Sequence, residues 1–156
     1  MAVTYQDTAW ALIEEPLTNL INDDFNEAYA SPRFKKMGNE FIRVNIESST
    51  EIMTTGNFEQ REYLVMIRYY LDDSNIEHSQ TNGAIKRKID RLKKKLLDSI
   101  SVSGGSASHS GKWDSLIVDS IEYDIKDEEN EEDENLYIAQ LMCSIQHTFT
   151  FGATGL

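Results

Sequence analysis

The last third of the chain, Trp113 to Phe151, constrains the fold most. Odd positions Tyr137, Ala139, Leu141, Cys143, Ile145, His147, Phe149 and Phe151 are mostly apolar, and Gln140, Ser144, Gln146, Thr148 and Thr150 between them are polar. A period of two over this length predicts a β-strand with one buried face. The preceding segment, Ser115 to Ile125, predicts a partner strand with Ile117, Ile121, Tyr123 and Ile125 on one face. Between them stand Asp127, Glu128, Glu129, Asn130, Glu131, Glu132, Asp133 and Glu134. Ionised carboxylates at this density cannot enter an apolar core, so the loop is expected to project into solvent or into a pore.

The rest of the chain reads as helix, strand, strand, helix. Trp10, Ile13, Leu17, Leu20 and Ile21 recur at three- and four-residue steps and predict an amphipathic helix, with Asp7 as its N-cap. Pro16 should kink or split it, because proline removes a hydrogen bond and crowds the preceding turn. Residues 22–39 read as irregular, with Pro32 and Gly38 as breakers and a small basic cluster at Arg33, Lys35 and Lys36. Phe41 to Glu47 alternates, with Ile42, Val44 and Ile46 against Arg43, Asn45 and Glu47. Glu51 to Gln60 reads as a polar connection containing Gly56.

Arg61 to Leu71 is apolar on both faces, with Tyr63, Val65, Ile67 and Tyr69 opposite Leu64, Met66 and Tyr70. Such a strand is expected at the centre of a sheet, covered by helix on one side and by something else, such as a neighbouring subunit, on the other. After a polar turn, 72–82, a helix from about Gly83 to Ser101 carries Ile85, Ile89, Leu92, Leu96 and Ile100 inward. Its other face holds Lys86, Arg87, Lys88, Arg91, Lys93, Lys94 and Lys95, broken by Asp90. Ser101 to Gly111 is a Ser/Gly loop expected to be flexible. Consecutive strand pairs with short connections favour antiparallel pairing. The expected fold is therefore α+β: a four-stranded, mostly antiparallel sheet with a main helix and an N-terminal helix packed on one face.

A chain of 156 residues favours one domain with its own core. Residues 1–40 would supply the N-terminal helix and irregular segment, 41–151 the αβ core and 152–156 a tail. No apolar run approaches the roughly 20 residues of a membrane span, and no signal peptide is evident at the N-terminus. The single cysteine excludes an internal disulfide and fits a reducing compartment. The net charge of −12 disfavours nonspecific binding to DNA. It remains compatible with a wall past which DNA slides without sticking.

His78, His109 and His147 lack metal-ligand spacing to one another or to a cysteine pair. Cys143 and His147 share a strand face, which suits shared core packing better than a nucleophile–base pair. His109 lies among Ser106, Ser108 and Ser110 without a nearby acidic orienter, a poor basis for a triad. The acidic loop lacks the glycine and alternating oxygen ligands of an EF-hand. There is no Gly-rich phosphate loop or cofactor fingerprint. The expectation is a structural protein, not an enzyme, with no cofactor, metal or catalytic residues. The basic helix face and the acidic loop could be two halves of a head-to-tail contact, which closes into a ring when the rotation permits. That reading assigns an assembly interface to Lys86, Arg87, Arg91, Lys93, Lys94, Lys95, Asp127, Glu128, Glu129, Glu131, Glu132, Asp133 and Glu134.

The pattern resembles the tail terminator (tail completion) proteins of tailed bacteriophages. Asn39 to Ile46 is similar to their first strand, Arg61 to Tyr70 to their second, Ala84 to Leu97 to their main helix, and Trp113 to Phe151 to their final strand pair. The likeness covers about Phe41 to Phe151 and is one of pattern, without a diagnostic motif. The longer polar turn at 72–82 and the highly charged loop depart from the family. The resemblance implies a ring, expected to be a hexamer, at the head-proximal end of the tail tube. Such a ring ends tube polymerisation and joins the tail to the head connector. Implied partners are further copies of itself, the tail tube protein, the head–tail connector or neck protein, a tail sheath, and genomic DNA passing the lumen without specific binding. The implied location is the virion, after assembly in the host cytoplasm. Another neck or tail-tube protein is the near alternative. An acidic DNA mimic that inhibits a host enzyme is the alternative from another class. At about 3.3 Å per residue the last strand would run roughly 50 Å, so it is expected to bend or to leave the parent sheet.

Overall fold

The computed structural model describes residues 9–25, 27–35, 38, 40–56, 58–72, 78–101, 113–125 and 136–150. The class is α+β. A π-helical turn, Ala9–Glu14, leads into α1, Glu15–Phe25. The strands are β1 (Ala28–Ala30), β2 (Glu40–Thr54), β3 (Phe58–Asp72), β4 (Ser115–Glu122) and β5 (Leu136–Thr150), with α2 (His78–Ser101) between β3 and β4. They form one mixed sheet in the order β1-β2-β3-β5-β4.

The expected split at Pro16 is not seen as a gap: the helical residues run unbroken from Ala9 to Phe25, with the winding changing from π to α at Glu14 and Glu15. Pro16 sits two residues after the π-helical turn ends, and its missing N–H coincides with the change of winding. The expected cap Asp7 lies outside the described residues. The stripe Ile13, Leu17, Leu20 and Ile21 is buried with Ile85, Ile89, Leu92 and Leu96 of α2 on one face of the sheet. Meeting them are Ile42 and Val44 of β2, Val65, Ile67 and Tyr69 of β3, Leu116 of β4 and Ala139, Leu141, Cys143 and Ile145 of β5. Trp113, just before β4, seals this core.

The sheet has five strands rather than four, because the segment expected to be irregular contains β1. Asn22 is the cause. Its Oδ1 accepts from the Ala28 amide at 2.7 Å and its Nδ2 donates to the Ala28 carbonyl at 3.0 Å. That clasp delivers Ala28–Ala30 parallel to Ile42, Arg43 and Val44.

β2 and β3 are also longer than expected. The supposed polar connection is a hairpin whose strands run to Thr54 and restart at Phe58, closed by the Thr55 amide donating to the Phe58 carbonyl at 2.9 Å. β5 neither detaches nor pairs elsewhere. It stays in register with β3 from Leu136↔Asp72 to Thr150↔Phe58, because β3 lengthens with it.

A register shift between Val118 and Ser120 corrects the expected face of β4. A bulge inserts one residue, and one residue reverses which side later side chains point to. Leu116, Val118 and Ile121 therefore face the core, whereas Ile117 is 53% exposed on the opposite face. Asp124 adopts a left-handed backbone with φ 54°, which a short polar side chain tolerates. The following Ile125 crosses to pack on the far side of the sheet.

Candidate assembly surfaces

The sheet face away from the helices has two different halves. At one end Phe41, Tyr70, Leu136 and Ile138 form a second small core, covered by Tyr29, Phe34 and Ile125. Phe41 and Tyr70 stack at 4.8 Å, and Phe34 tilts against Tyr70 at 5.2 Å. A strap of the chain itself, residues 29–35, therefore covers this end, where a neighbouring subunit had been one expectation. The Tyr29 hydroxyl holds the strap by donating to the Lys35 carbonyl at 2.7 Å and accepting from the Lys35 amide at 3.0 Å.

Arg43, expected on a polar face, is only 3% exposed. Its Nε donates to the Tyr70 hydroxyl at 3.1 Å and its Nη1 to the Ser31 carbonyl at 3.4 Å. The guanidinium thus joins β2, β3 and the strap. Burial pushes the Tyr70 phenol above its ordinary pKa, and the neighbouring Arg43 and Arg68 only partly offset that.

The other half of this face is largely polar and half-buried, with Met66 buried within it. Gln60 Nε2 and Thr148 Oγ1 donate to Asp114 Oδ2 at 3.2 and 2.5 Å. Gln146 donates to Glu62 at 3.2 Å, Arg68 to Gln140 at 2.7 Å and Ser144 to Asp119 at 2.5 Å. These cross-strand bonds fix the side chains into a flat hydrogen-bonded surface.

The far end of β2 forms an exposed arm that pairs with the half-buried start of β3 through its backbone. Every residue from Glu47 to Gly56 is exposed, including Ile52 and Met53 at 45% each. The arm carries Glu47 and Glu51.

The basic helix face divides in two. Lys88 bonds Glu40 of β2, and Lys95 pairs with Asp24 of α1 at 3.5 Å. Both are half-buried and hold α2 to the body. Lys86, Arg87, Arg91, Lys93 and Lys94 are exposed. Of these, Lys86 lies over the Tyr123 ring at 5.7 Å, Arg91 over Phe25 at 5.3 Å, and Lys94 pairs with Asp98. Lys93 stands one turn before Leu97, which is 37% exposed. The acidic loop, Asp127, Glu128, Glu129, Glu131, Glu132, Asp133 and Glu134, lies outside the described residues, as does His109.

Glu40 is a node the sequence reading missed. It accepts from Lys88 and, at 2.5 Å, from the Tyr69 hydroxyl. Burial alone would raise its pKa, but these donors prevail and hold it below the ordinary value. Neighbouring Glu27 is raised, by burial and by sharing a hydrogen bond with Glu40. Burial pushes the Tyr69 phenol up strongly, and the Glu40 carboxylate adds to that.

Cys143 and His147 are both buried. Burial pushes the Cys143 thiol up to about 12, with the Asp119 charge adding to it. A thiol held in this state is poorly suited to nucleophilic attack. Among the described residues no group of three or more His, Cys, Asp or Glu side chains could hold a metal ion, and no helix is long and apolar enough to cross a membrane.

Comparison with protein-family models and with curated proteins finds no match.

Proposed function

We propose that this chain is a ring-forming structural protein of a bacteriophage virion, a tail terminator at the head-proximal end of the tail tube. The observation that carries the reading is the division of the 15-residue strand β2. The first part of β2 builds the core and the rest, from Glu47 onward, extends as an exposed arm, whereas the β3 residues beside it are half-buried and β5 stays buried at alternate positions to His147. A core this size does not need strands of that length, since globular strands usually run about 3–10 residues. An arm that pairs with β3 through its backbone but buries none of its side chains suits contact with another copy.

The ring, expected to be a hexamer, ends tube polymerisation and meets the head connector. Its partners are its own copies, the tail tube protein and the neck. Catalysis has no part in this role. Electron microscopy of the purified protein tests the reading, with closed rings as the expected result. Only monomers at high concentration, with no corresponding ring in virions, would refute it. Position within a particle separates a terminator from another neck or tube protein.

The acidic-mimic alternative draws some support from Glu62, Asp114 and Asp119 on the polar half of the sheet face. Each of these carboxylates accepts a hydrogen bond from a neighbouring strand, which fixes it in the sheet surface. Recovery of a host DNA-binding enzyme with the protein would favour that alternative.

A further inference from the structure

The exposed arm and the exposed cations of α2 are opposite in charge. The arm presents Glu47, Glu51, Ile52 and Met53. On α2, Lys93 and Lys94 stand one turn before Leu97, so cation and apolar surface adjoin on the helix.

Two other self-contacts are less favourable. Pairing the free edge of β2 with that of β4 would set Glu47 and Glu51 against Asp114, Asp119 and Glu122, acid against acid. Both edge strands also carry register shifts, between Ile46 and Ser48, Glu51 and Met53, and Val118 and Ser120. Bulges at such positions blunt strand addition. Arm against arm repeats the like-charge conflict.

We propose that the β2 arm of one copy docks on the Lys93–Lys94–Leu97 surface of α2 in the next copy, a heterologous contact that repeats head to tail. The contact rests on the assembly reading above and names its two surfaces. Ile52 and Met53 cover Leu97, and Glu47 and Glu51 lie against the lysines. Such a contact grows until a ring closes.

Sedimentation velocity on the full chain tests this with two neutralising variants. One alters the arm, Glu47→Gln/Glu51→Gln/Ile52→Ser/Met53→Ser. The other alters the helix, Lys93→Gln/Lys94→Gln/Leu97→Ser. All seven positions are exposed, and far-UV circular dichroism verifies that each variant folds. Each variant alone should self-associate roughly tenfold or more weakly than wild type, the scale of several exposed ion pairs and partly buried apolar side chains lost together. Mixed, the two should form a 1:1 dimer that grows no further, because each supplies the one surface the other lacks.

Wild type that stays monomeric, or an arm variant that assembles like wild type, overturns the proposal. Loss of assembly on neutralising the 127–134 carboxylates, with the arm variant unaffected, moves the contact to that loop and overturns it equally. Rings that survive the arm variant refute this contact and leave the ring reading standing. Arm-dependent chains that never close refute the ring reading and leave this contact standing.

Discussion

Tyr70→Phe tests whether the strap over the sheet is held by one buried guanidinium. The substitution keeps the ring that stacks on Phe41 at 4.8 Å and removes only the hydroxyl that Arg43 Nε meets at 3.1 Å. The bond is charge-assisted, and Arg43 is nearly inaccessible to water, so solvent cannot readily replace the lost acceptor. Hydrogen bonds to charged groups contribute about 1.5–3 kcal/mol, and leaving a buried donor poorly satisfied costs on the same scale. The expected loss is therefore about 2 kcal/mol. Arg43→Met alone should cost about as much or more, since it also breaks the bond to the Ser31 carbonyl. The double variant should cost less than the sum, with a coupling of about 1–2 kcal/mol, because removing both partners leaves neither stranded. Urea unfolding followed by tryptophan fluorescence reads these values, with Trp113 buried in the main core as a reporter. A Tyr70→Phe variant within about 0.5 kcal/mol of wild type, the range of ordinary surface changes, would refute the argument. The strap would then be held by aromatic packing alone.

Leu92→Ala, at the centre of the interface between α2 and the sheet, should cost about 2–5 kcal/mol by the same assay. The Glu40 node makes stability depend on pH. Glu40 is lowered in the folded chain, so its contribution is present above its unfolded value near 4.5 and is lost as pH falls through the lower folded value. The stability difference between wild type and Glu40→Gln, measured by denaturation at a series of pH values, should be full near neutrality and vanish in acid. Glu27 is raised, so its ionised form costs stability above its folded pKa, and the cost disappears once it is protonated. Glu27→Gln should therefore stabilise the fold at neutral pH. Cys143 should resist a thiol reagent in the native protein and react at an ordinary rate once the chain is unfolded, as its buried, raised thiol requires.

The main core was readable from spacing because each of its elements keeps its period. Ile85, Ile89, Leu92 and Leu96 follow helical steps, and Ala139, Leu141, Cys143 and Ile145 alternate without interruption. The fifth strand was not readable, since β1 is three residues long and depends on the Asn22 clasp rather than on its own sequence. The burial of Arg43 was equally hidden. Alternation assigns it to a polar side correctly, and only the strap, brought back from residues 29–35, buries that side. The aromatic residues Tyr29 and Phe34 in a segment otherwise lacking periodicity were the available sign that it packs on something. Of the proposed interface, the structure brings Lys95 into the body through Asp24 and leaves Lys93 and Lys94 exposed. Such a division depends on which flank of α2 faces α1, which composition cannot reveal.

The positions of the bulges connect fold to assembly. β3 and β5 pair through their whole length with no register shift, whereas the shifts fall in β2 and β4, the strands that flank this central pair. In β2 a shift follows Ile46, where the strand leaves the helices. Beyond it the alternation that buried Ile42 and Val44 no longer serves the core, and the strand becomes exposed on both faces. The polar composition of residues 47–55 and their strand conformation are therefore consistent: they pair through backbone but bury no side-chain face. A segment built this way contributes little to the stability of its own subunit. Substitutions at Glu51, Ile52 or Met53 should leave unfolding unchanged within about 0.5 kcal/mol while altering self-association. Loss of stability in step with loss of association would show instead that the arm belongs to the core.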